Sequence, residues 1–272
     1  MTLRIVFDNA LERAASLTAS STAGALVAAN LVNWKKSSLH RATATSVTYT
    51  ATWAAAEPIS CVALPFCNLS PTATIRVRAY GADGTTLLYD SGPVLACPAP
   101  ALRPRGFTAA QAASAYAYGG GAYARHWFPQ VAAFKLVVDL VDVNNLQGYI
   151  EAACMVVSAH WSPKYDTAAA PLVPLDTSDI IGTGGGDTIG EVGFISKEVG
   201  IDLTHMDDAD RATIMNMARS SAVYPVLVSV FPEHQDTAKE RDYMAYATRS
   251  KSTEIGIRYG REYQTKVTFR EV

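Results

Sequence analysis

Hydrophobic and polar residues alternate through the middle of the chain in the pattern of half-buried β-strands. Residues 48–53 place threonines on one side and apolar residues on the other, and residues 75–80 alternate in the same way. An Asp-Gly hairpin signal follows the second segment and leads into a returning strand at 86–89. Two longer β-rich runs, 134–141 and 149–161, are separated by a turn. This series predicts an antiparallel β domain built as a sandwich or jelly roll.

Prolines and a triple glycine interrupt the strand series and predict a long loop over residues 97–128. The candidate contact residues of this loop are Tyr116, Tyr118, Tyr123, Arg125, His126 and Trp127. Aromatic side chains on a long loop stack on sugar rings or anchor a protein interface. They can also pack back onto the sheet of their own domain, so both interpretations stay open.

The chain changes character after the last β-rich run. Residues 162–193 are rich in proline and glycine and predict a linker or extended arm; their glycine cluster lacks the Gly-Lys-Ser/Thr ending of a phosphate-binding loop. Residues 194–272 predict a small α+β unit, with a helix that begins with a capping box at Thr204 and runs to about Ser220. The predicted fold class is therefore mainly β, with the sandwich occupying residues 1–161.

The composition narrows the classes of function. Of 272 residues, 49% are hydrophobic, which excludes a wholly disordered chain, and a net charge of -2 argues against a general nucleic-acid binder. No run of 18 apolar residues occurs and four of the first 13 residues are charged, so we expect neither membrane insertion nor a signal peptide, and we expect folding in the cytoplasm. Only 18% of the residues are charged, which indicates surface covered by other chains.

Catalytic patterns are missing from the sequence. The five histidines are scattered, and neither G-x-S-x-G nor H-E-x-x-H occurs. The carboxylates that could serve glycoside hydrolysis are Asp139, Asp142 and Glu151, but nothing in the sequence brings them together across a cleft. We therefore predict no enzymatic activity and no catalytic residues.

A cofactor is not expected either. The four cysteines lack metal-ligand spacing and are predicted to be reduced, buried thiols. Turn residues with side-chain oxygens leave a structural calcium ion as an alternative; they are Asp83, Asp90, Asp142, Asn144 and Asn145. Their spacing does not match an EF-hand, and Asp and Asn favour turns in any case because they bond the local backbone.

Three segments of the sequence carry a family resemblance. Residues 59–80, followed by the Asp-Gly turn and residues 89–92, resemble the galactose-binding-like, discoidin-type β-sandwich found in tail proteins of bacteriophages and prophages. Residues 160–165 resemble the segment that leaves that sandwich. The C-terminal part, 203–211 followed by 224–233, is similar to the helix, strand and Phe-Pro-acid turn of the same proteins.

The resemblance implies a structural component of the tail baseplate or tail tip. Such a subunit would join other tail proteins and further copies of itself in a ring around the tail axis, link the tail to host-attachment parts, and be assembled in the bacterial cytoplasm into the virion. The alternative is a carbohydrate-binding, receptor-recognition module of the tail that contacts a host surface glycan through the aromatic loop, with Arg125 and His126 as its main hydrogen-bonding side chains.

Overall fold

The computed structural model describes residues 2–97, 122–182, 184–191, 193–220, 223–249, 253–258 and 262–272, and these form a mainly β protein. The strands are β1 (Arg4–Val6), β2 (Ser16–Ala19), β3 (His40–Arg41), β4 (Ser46–Cys67), β5 (Thr74–Tyr80), β6 (Leu87–Asp90), β7 (Val94–Leu95), β8 (Ala122–Val141), β9 (Glu151–Ala152), β10 (Val156–Ser158), β11 (Leu172–Asp176), β12 (Asp179–Gly182), β13 (Thr188–Glu191), β14 (Ile195–Met206), β15 (Val226–Ser229), β16 (Met244–Arg249), β17 (Glu254–Arg258) and β18 (Glu262–Glu271). The helices are α1 (Asp208–Ser220) and α2 (Thr237–Asp242), and 3-10 turns cover Ala10–Arg13 and Ala28–Val32. No helix in these ranges is long and apolar enough to cross a membrane.

The larger sheet has nine strands and is organised by β4 and β8. These two long strands pair antiparallel from end to end, with register shifts that divide each into two halves. The first half of β4 pairs with β2 and the second with β10, while β5 covers the second half of β8. Both halves of β4 contribute to one hydrophobic core. The predicted β-sandwich is confirmed.

Alternation explains the inward face of this sandwich. Ile75, Val77 and Ala79 on β5 are fully buried, and the residues between them are half-buried. Tyr49 and Ala51 on β4 are buried in the same way. A side-chain period of two therefore places one apolar set in the core, as the sequence predicts.

The second sheet belongs to the α+β unit. Its strands follow the order β1-β15-β16-β18-β14-β11, with β17 beside β18. Helix α1 packs against β14 and β18 and buries Ile214 and Met217. The helix is capped by Asp207, whose side chain accepts the backbone N–H of Asp210 at 2.9 Å. The predicted cap, Thr204, lies inside β14 instead, because its strand pairs with β18.

The strand pairings cross the boundaries predicted from sequence. Strand β1 pairs with β15 of the second sheet, and Ile5 bridges to Trp161. Strand β11, inside the predicted linker, pairs with β14. Of the expected loop over 97–128, residues 122–128 lie in β8, which begins at Ala122 and pairs with β4, and residues 98–121 lie outside the described residues. The β-rich run predicted over 149–161 contains the short strands β9 and β10.

A third hydrophobic cluster joins the two sheets, and we call it the seam. It draws side chains from the sandwich, from β1 and from the second sheet: Val6, Cys61, Ala63, Phe66, Tyr123, Trp127, Ala153, Cys154, Val156, Leu227, Met244 and Tyr246. All of these side chains are buried. The two units therefore share apolar packing, and the residues at the seam are not available to a ligand.

Candidate functional site

Four of the six predicted contact residues lie on the first half of β8, and Tyr116 and Tyr118 lie outside the described residues. Tyr123 is buried at the seam, where its hydroxyl donates to the Glu271 carboxylate at 2.6 Å and accepts the Tyr246 backbone N–H at 3.1 Å. Burial, with a smaller contribution from Glu271, raises the pKa of Tyr123 well above its ordinary value. The Tyr123 ring is therefore held between the two units.

Trp127 and Arg125 also connect the two units. Trp127 is buried, with the Arg4 guanidinium 5.2 Å from its ring and the edge of His160 at 5.5 Å. Arg125 donates two hydrogen bonds, of 2.8 and 2.9 Å, to the fully buried carboxylate of Glu240 on α2. These contacts do not fit the predicted role in glycan contact, because they occupy the groups that a sugar would need.

His126, like Arg125, is half-buried. Its Nε2 lies 2.8 Å from the Tyr89 hydroxyl, and its ring stacks with Tyr89 and Phe128 at 6.0 and 5.7 Å. Burial lowers the pKa of His126, and the neighbouring Arg125 lowers it further. Tyr89 and Phe128 stack on each other at 4.6 Å with His126 beside them, and the lowered pKa of His126 favours its neutral form.

Two lysines lie against the aromatic side chains near the seam. The Lys36 ammonium is 4.1 Å from the Phe66 ring centre and 4.3 Å from that of Phe194, and no described residue accepts a hydrogen bond from it. Burial lowers the pKa of Lys36 to about 8. Lys197 donates to the backbone carbonyl of Arg241 at 2.9 Å, and burial lowers its pKa as well.

The carboxylates considered for catalysis have separate partners. Asp139 pairs with Arg78 at 2.5 Å and accepts the Thr48 hydroxyl at 2.8 Å. Asp142 accepts the backbone N–H and the hydroxyl of Ser70, at 2.7 and 2.6 Å. Glu151 is buried and pairs with Arg41 at 2.6 Å. Each acid thus stabilises a different strand end or turn.

The oxygen atoms considered for calcium are also engaged locally. Asp83 accepts the backbone N–H and hydroxyl groups of Thr85 and Thr86, and Asp90 pairs with Arg76. Asn144 and Asn145 bond within the turn and to the neighbouring 68–72 segment. Within the described ranges, no group of three or more His, Cys, Asp or Glu side chains is arranged to hold a metal ion. The four cysteines are buried and free.

The described residues line two grooves that bear on function. The polar groove, about 380 Å³, lies on the sandwich and is lined by Ser20, Ser46, Val47, Thr48, Thr74, Arg76, Pro93, Asp139, Leu140 and Val141. The seam groove, about 580 Å³, has an apolar wall that includes Val6, Trp34 and Tyr246, and Asp8 and Glu12 also line it. The polar groove presents hydroxyl, guanidinium and carboxylate groups together, which is the chemistry that hydrogen-bonds a polar ligand.

Three exposed isoleucines lie on a β-hairpin. We call residues 177–194 the arm: β12 and β13 pair with each other, and Thr177 and Phe194 close its base through a backbone hydrogen bond of 3.1 Å. Every residue of β12 and β13 is exposed. Ile180, Ile181 and Ile189 are 73%, 57% and 63% exposed. The sequence predicts an arm here but does not predict its exposed isoleucines.

No family model matches the chain, and no curated protein matches it. Among solved structures, CpGH89CBM32-5 from Clostridium perfringens, in complex with GalNAc-β-1,3-galactose, is 13% identical over 53% of this chain and 94% of its own, with a TM-score of 0.36. The family 32 CBM of C. perfringens NanJ, in complex with galactose, is 12% identical over 57% of this chain and 98% of its own, with a TM-score of 0.37. A Ruminococcus gnavus GH29 fucosidase in complex with fucose is 12% identical over 57% of this chain but only 27% of its own, with a TM-score of 0.38. At these values, the similarities carry no argument about what this chain does.

Proposed function

We propose that this protein is a structural subunit that works by assembling with other protein chains through its arm, without catalytic activity of its own. The observation that carries the proposal is the complete exposure of β12 and β13 with three isoleucines on them. Exposed apolar residues gathered on one projecting element are typical of a protein interaction site. A two-stranded hairpin in water is marginally stable by itself, so a partner that covers it would also order it.

The particle that we propose is a bacteriophage tail. This part of the proposal rests on the sequence resemblance of residues 59–80, 160–165 and 203–233 to phage tail proteins, and the compared structures give it no support. As a tail-tip or baseplate subunit, the chain would be assembled in the bacterial cytoplasm and retained in the virion. Each of the three candidate acids, Asp139, Asp142 and Glu151, bonds to a different partner. This supports the part of the proposal that gives the chain no catalytic activity.

A deletion of the arm tests the proposal. In this variant, an Asn-Gly turn replaces residues 179–191, between β11 and β14. The variant is then used to complement a phage or prophage that lacks the gene for this protein. We expect wild-type protein to restore complete tails and the shortened protein to leave them incomplete, with electron microscopy as the readout. A Thr188→Ala variant, which keeps all three isoleucines, is the matched control. Complete tails formed without the arm would contradict the proposal.

The second candidate function is glycan binding, and the observation in its favour is the polar groove. Thr48, Asp139 and Arg76 line it with three further hydroxyl side chains, those of Ser20, Ser46 and Thr74. Thr48 donates to Asp139, and Asp139 and Arg76 are each in an ion pair, so a sugar would have to share these groups with their present partners. This groove is a different site from the predicted aromatic loop, of which Tyr123 and Trp127 are buried and Tyr116 and Tyr118 lie outside the described residues. Titration with galactose, a ligand in one of the compared structures, tests it: binding should be lost in Arg76→Met and retained in Arg13→Met, which lies outside the groove. Absence of binding to galactose and to host surface polysaccharide would exclude this function.

A further inference from the structure

The arm and the segment around β17 have opposite net charges in the sequence, and each presents a strand edge that no described strand covers. We propose that the arm of one copy of this chain adds to the open edge of β17 in a second copy, so that copies join head to tail. The inference rests on the proposed role of the arm in assembly and names its partner. It is argued from the pattern of side chains on the arm, from charge and from the open edge of β17.

One face of the arm combines acids with isoleucines. Across the hairpin, Asp179 is paired with Glu191, and Ile181 is paired with Ile189. Residues directly opposite each other in an antiparallel pair point to the same face, and alternate residues share that face. Two carboxylates therefore stand side by side beside two isoleucines. Like charges opposite each other destabilise a strand pair, and a basic partner would relieve the repulsion.

The net charges of the two segments are complementary. The arm, 177–194, contains three acids and no Lys, Arg or His, which gives a net charge of -3. In the sequence, the stretch 249–270, which contains β17 and most of β18, has six Lys or Arg residues and two Glu residues, so its net charge is 6 - 2 = +4; Lys251 and Arg261 lie outside the described residues. Because the whole chain is close to neutral, this separation of charge sets the two segments apart from the rest. Opposite potentials orient two protein surfaces before they meet.

Strand β17 offers the backbone groups that a hairpin needs. It pairs with β18 on one side, and within the described residues no strand pairs with its other side. Its sequence contains no proline, and Ile257 is 73% exposed. An edge strand with free N–H and C=O groups and an exposed apolar side chain accepts an additional strand. Pairing there would place the arm's isoleucines beside Ile257.

Two other surfaces lack the excess of basic residues found around β17. The seam groove is lined by Asp8, Glu12 and Arg219. Edge strand β6 exposes Leu87 and Leu88, and its acid, Asp90, is paired with Arg76. Net charge therefore favours the segment around β17 over these two surfaces.

The proposed contact joins two different surfaces, so it does not close on itself in a dimer. A head-to-tail contact produces a ring when its rotation closes and a filament when it does not. The arm has about nine residues on each side, and a strand rises about 3.3 Å per residue, so it extends roughly 25 Å from its base. That length is enough to leave its own domain and lie along a neighbour.

Sedimentation velocity of the purified full-length protein tests the inference. We expect wild-type protein to self-associate as its concentration rises, and less so in high salt, because the charges are screened. Two variants should each remain monomeric: Asp179→Lys with Glu191→Lys, which reverses the charge of the arm, and Ile257→Glu, which adds an acid to the receiving edge. All three side chains are exposed, so both variants should keep the wild-type unfolding midpoint.

Mixing the two variants supplies the decisive measurement. The Ile257→Glu chain retains a wild-type arm and the arm variant retains a wild-type edge, so the mixture should form a 1:1 complex that does not grow further. Wild-type protein that stays monomeric, variants that associate like wild type, or a mixture that stays monomeric would each overturn the inference. If wild-type protein is monomeric alone but still needs its arm to enter tails, self-docking is excluded and the proposed function stands.

Discussion

Apolar side chains are buried at the seam and exposed on the arm. At the seam, Tyr123, Trp127 and Phe66 are buried between two sheets of one chain, and the charges near them have partners or aromatic neighbours. On the arm, three isoleucines are exposed on a hairpin that pairs only with itself. The aromatic residues that drew attention in the sequence therefore hold the protein together, and the less conspicuous isoleucines are left for a partner. Exposure, rather than residue type, distinguishes an interface from a core.

Among the predicted changes, substitution of Arg125 should cause the largest loss of unfolding free energy. Arg125→Met leaves the Glu240 carboxylate, which is fully buried, without its guanidinium partner. Removing one member of a buried ion pair costs about 3–5 kcal/mol of unfolding free energy. Urea denaturation measures the loss. Arg76→Met is the control, because its pair with Asp90 lies at the surface and its removal should barely move the midpoint. A small loss of unfolding free energy in Arg125→Met would mean that the ion pair between the two units contributes little to stability.

A pH-dependent effect is expected at Lys36. Its pKa is about 8 in the folded protein and about 10.5 in the unfolded chain, because burial disfavours the ammonium. Below pH 8 the folded state carries the whole cost of burying that charge, about 3 kcal/mol for this shift. Between pH 8 and 10.5 the folded protein loses the proton first, so wild-type stability rises with pH relative to Lys36→Met.

The measurement for Lys36 compares two variants across that range. At pH 7, Lys36→Met should be more stable than wild type, and the difference should shrink as the pH approaches 10.5. Lys35→Met, at an exposed neighbouring position, should follow wild type at every pH. A constant difference between wild type and Lys36→Met from pH 7 to 10.5 would show that Lys36 is not desolvated at the seam.

A smaller effect is expected from the Tyr123 hydroxyl. Tyr123→Phe keeps the ring against Phe66 but removes a donor to Glu271 and an acceptor for the Tyr246 N–H. A buried polar group left without its partner costs about 2 kcal/mol. Thermal unfolding should detect this loss, and Tyr89→Phe, whose hydroxyl is only half-buried, should lose less. Equal losses of stability in the two variants would indicate that the Tyr123 hydroxyl is no better shielded from water than the Tyr89 hydroxyl.

The sequence predicts the strands whose alternation is strong and misses those defined by distant partners. Period-two burial makes β5 and the first half of β4 readable without a structure. Strand β1 is only three residues long, and only its pairing with β15, more than 200 residues away, shows its place in the second sheet. The first half of β8 follows a glycine-rich stretch and consists of aromatic residues that also occur in loops, so its pairing with β4 could not be foreseen.

The same holds for the candidate functional residues: local patterns could be recognised in the sequence, and burial that depends on distant partners could not. Proline and glycine marked the arm, because those residues interrupt regular structure, and Gly186 adopts a φ of +88° in its turn. That the arm exposes Ile181 and Ile189 could not be read from the sequence, since isoleucine usually indicates a core. Conversely, Trp127 suggested a platform for a ligand, and only the pairing of β8 shows that it lies between two sheets.

The smallest effect on folding is expected at the arm. Ile181→Thr with Ile189→Thr keeps two β-branched residues in the hairpin while removing apolar surface from the face that they share. Because both side chains are already exposed, the unfolding free energy of dilute protein should change by no more than about 0.5 kcal/mol. Assembly should nevertheless be lost, because the same side chains are the apolar part of the proposed contact. Urea denaturation and sedimentation of one sample separate the two effects. A large destabilisation in dilute solution would mean that the arm packs on its own chain, and the contrast between seam and arm would then disappear.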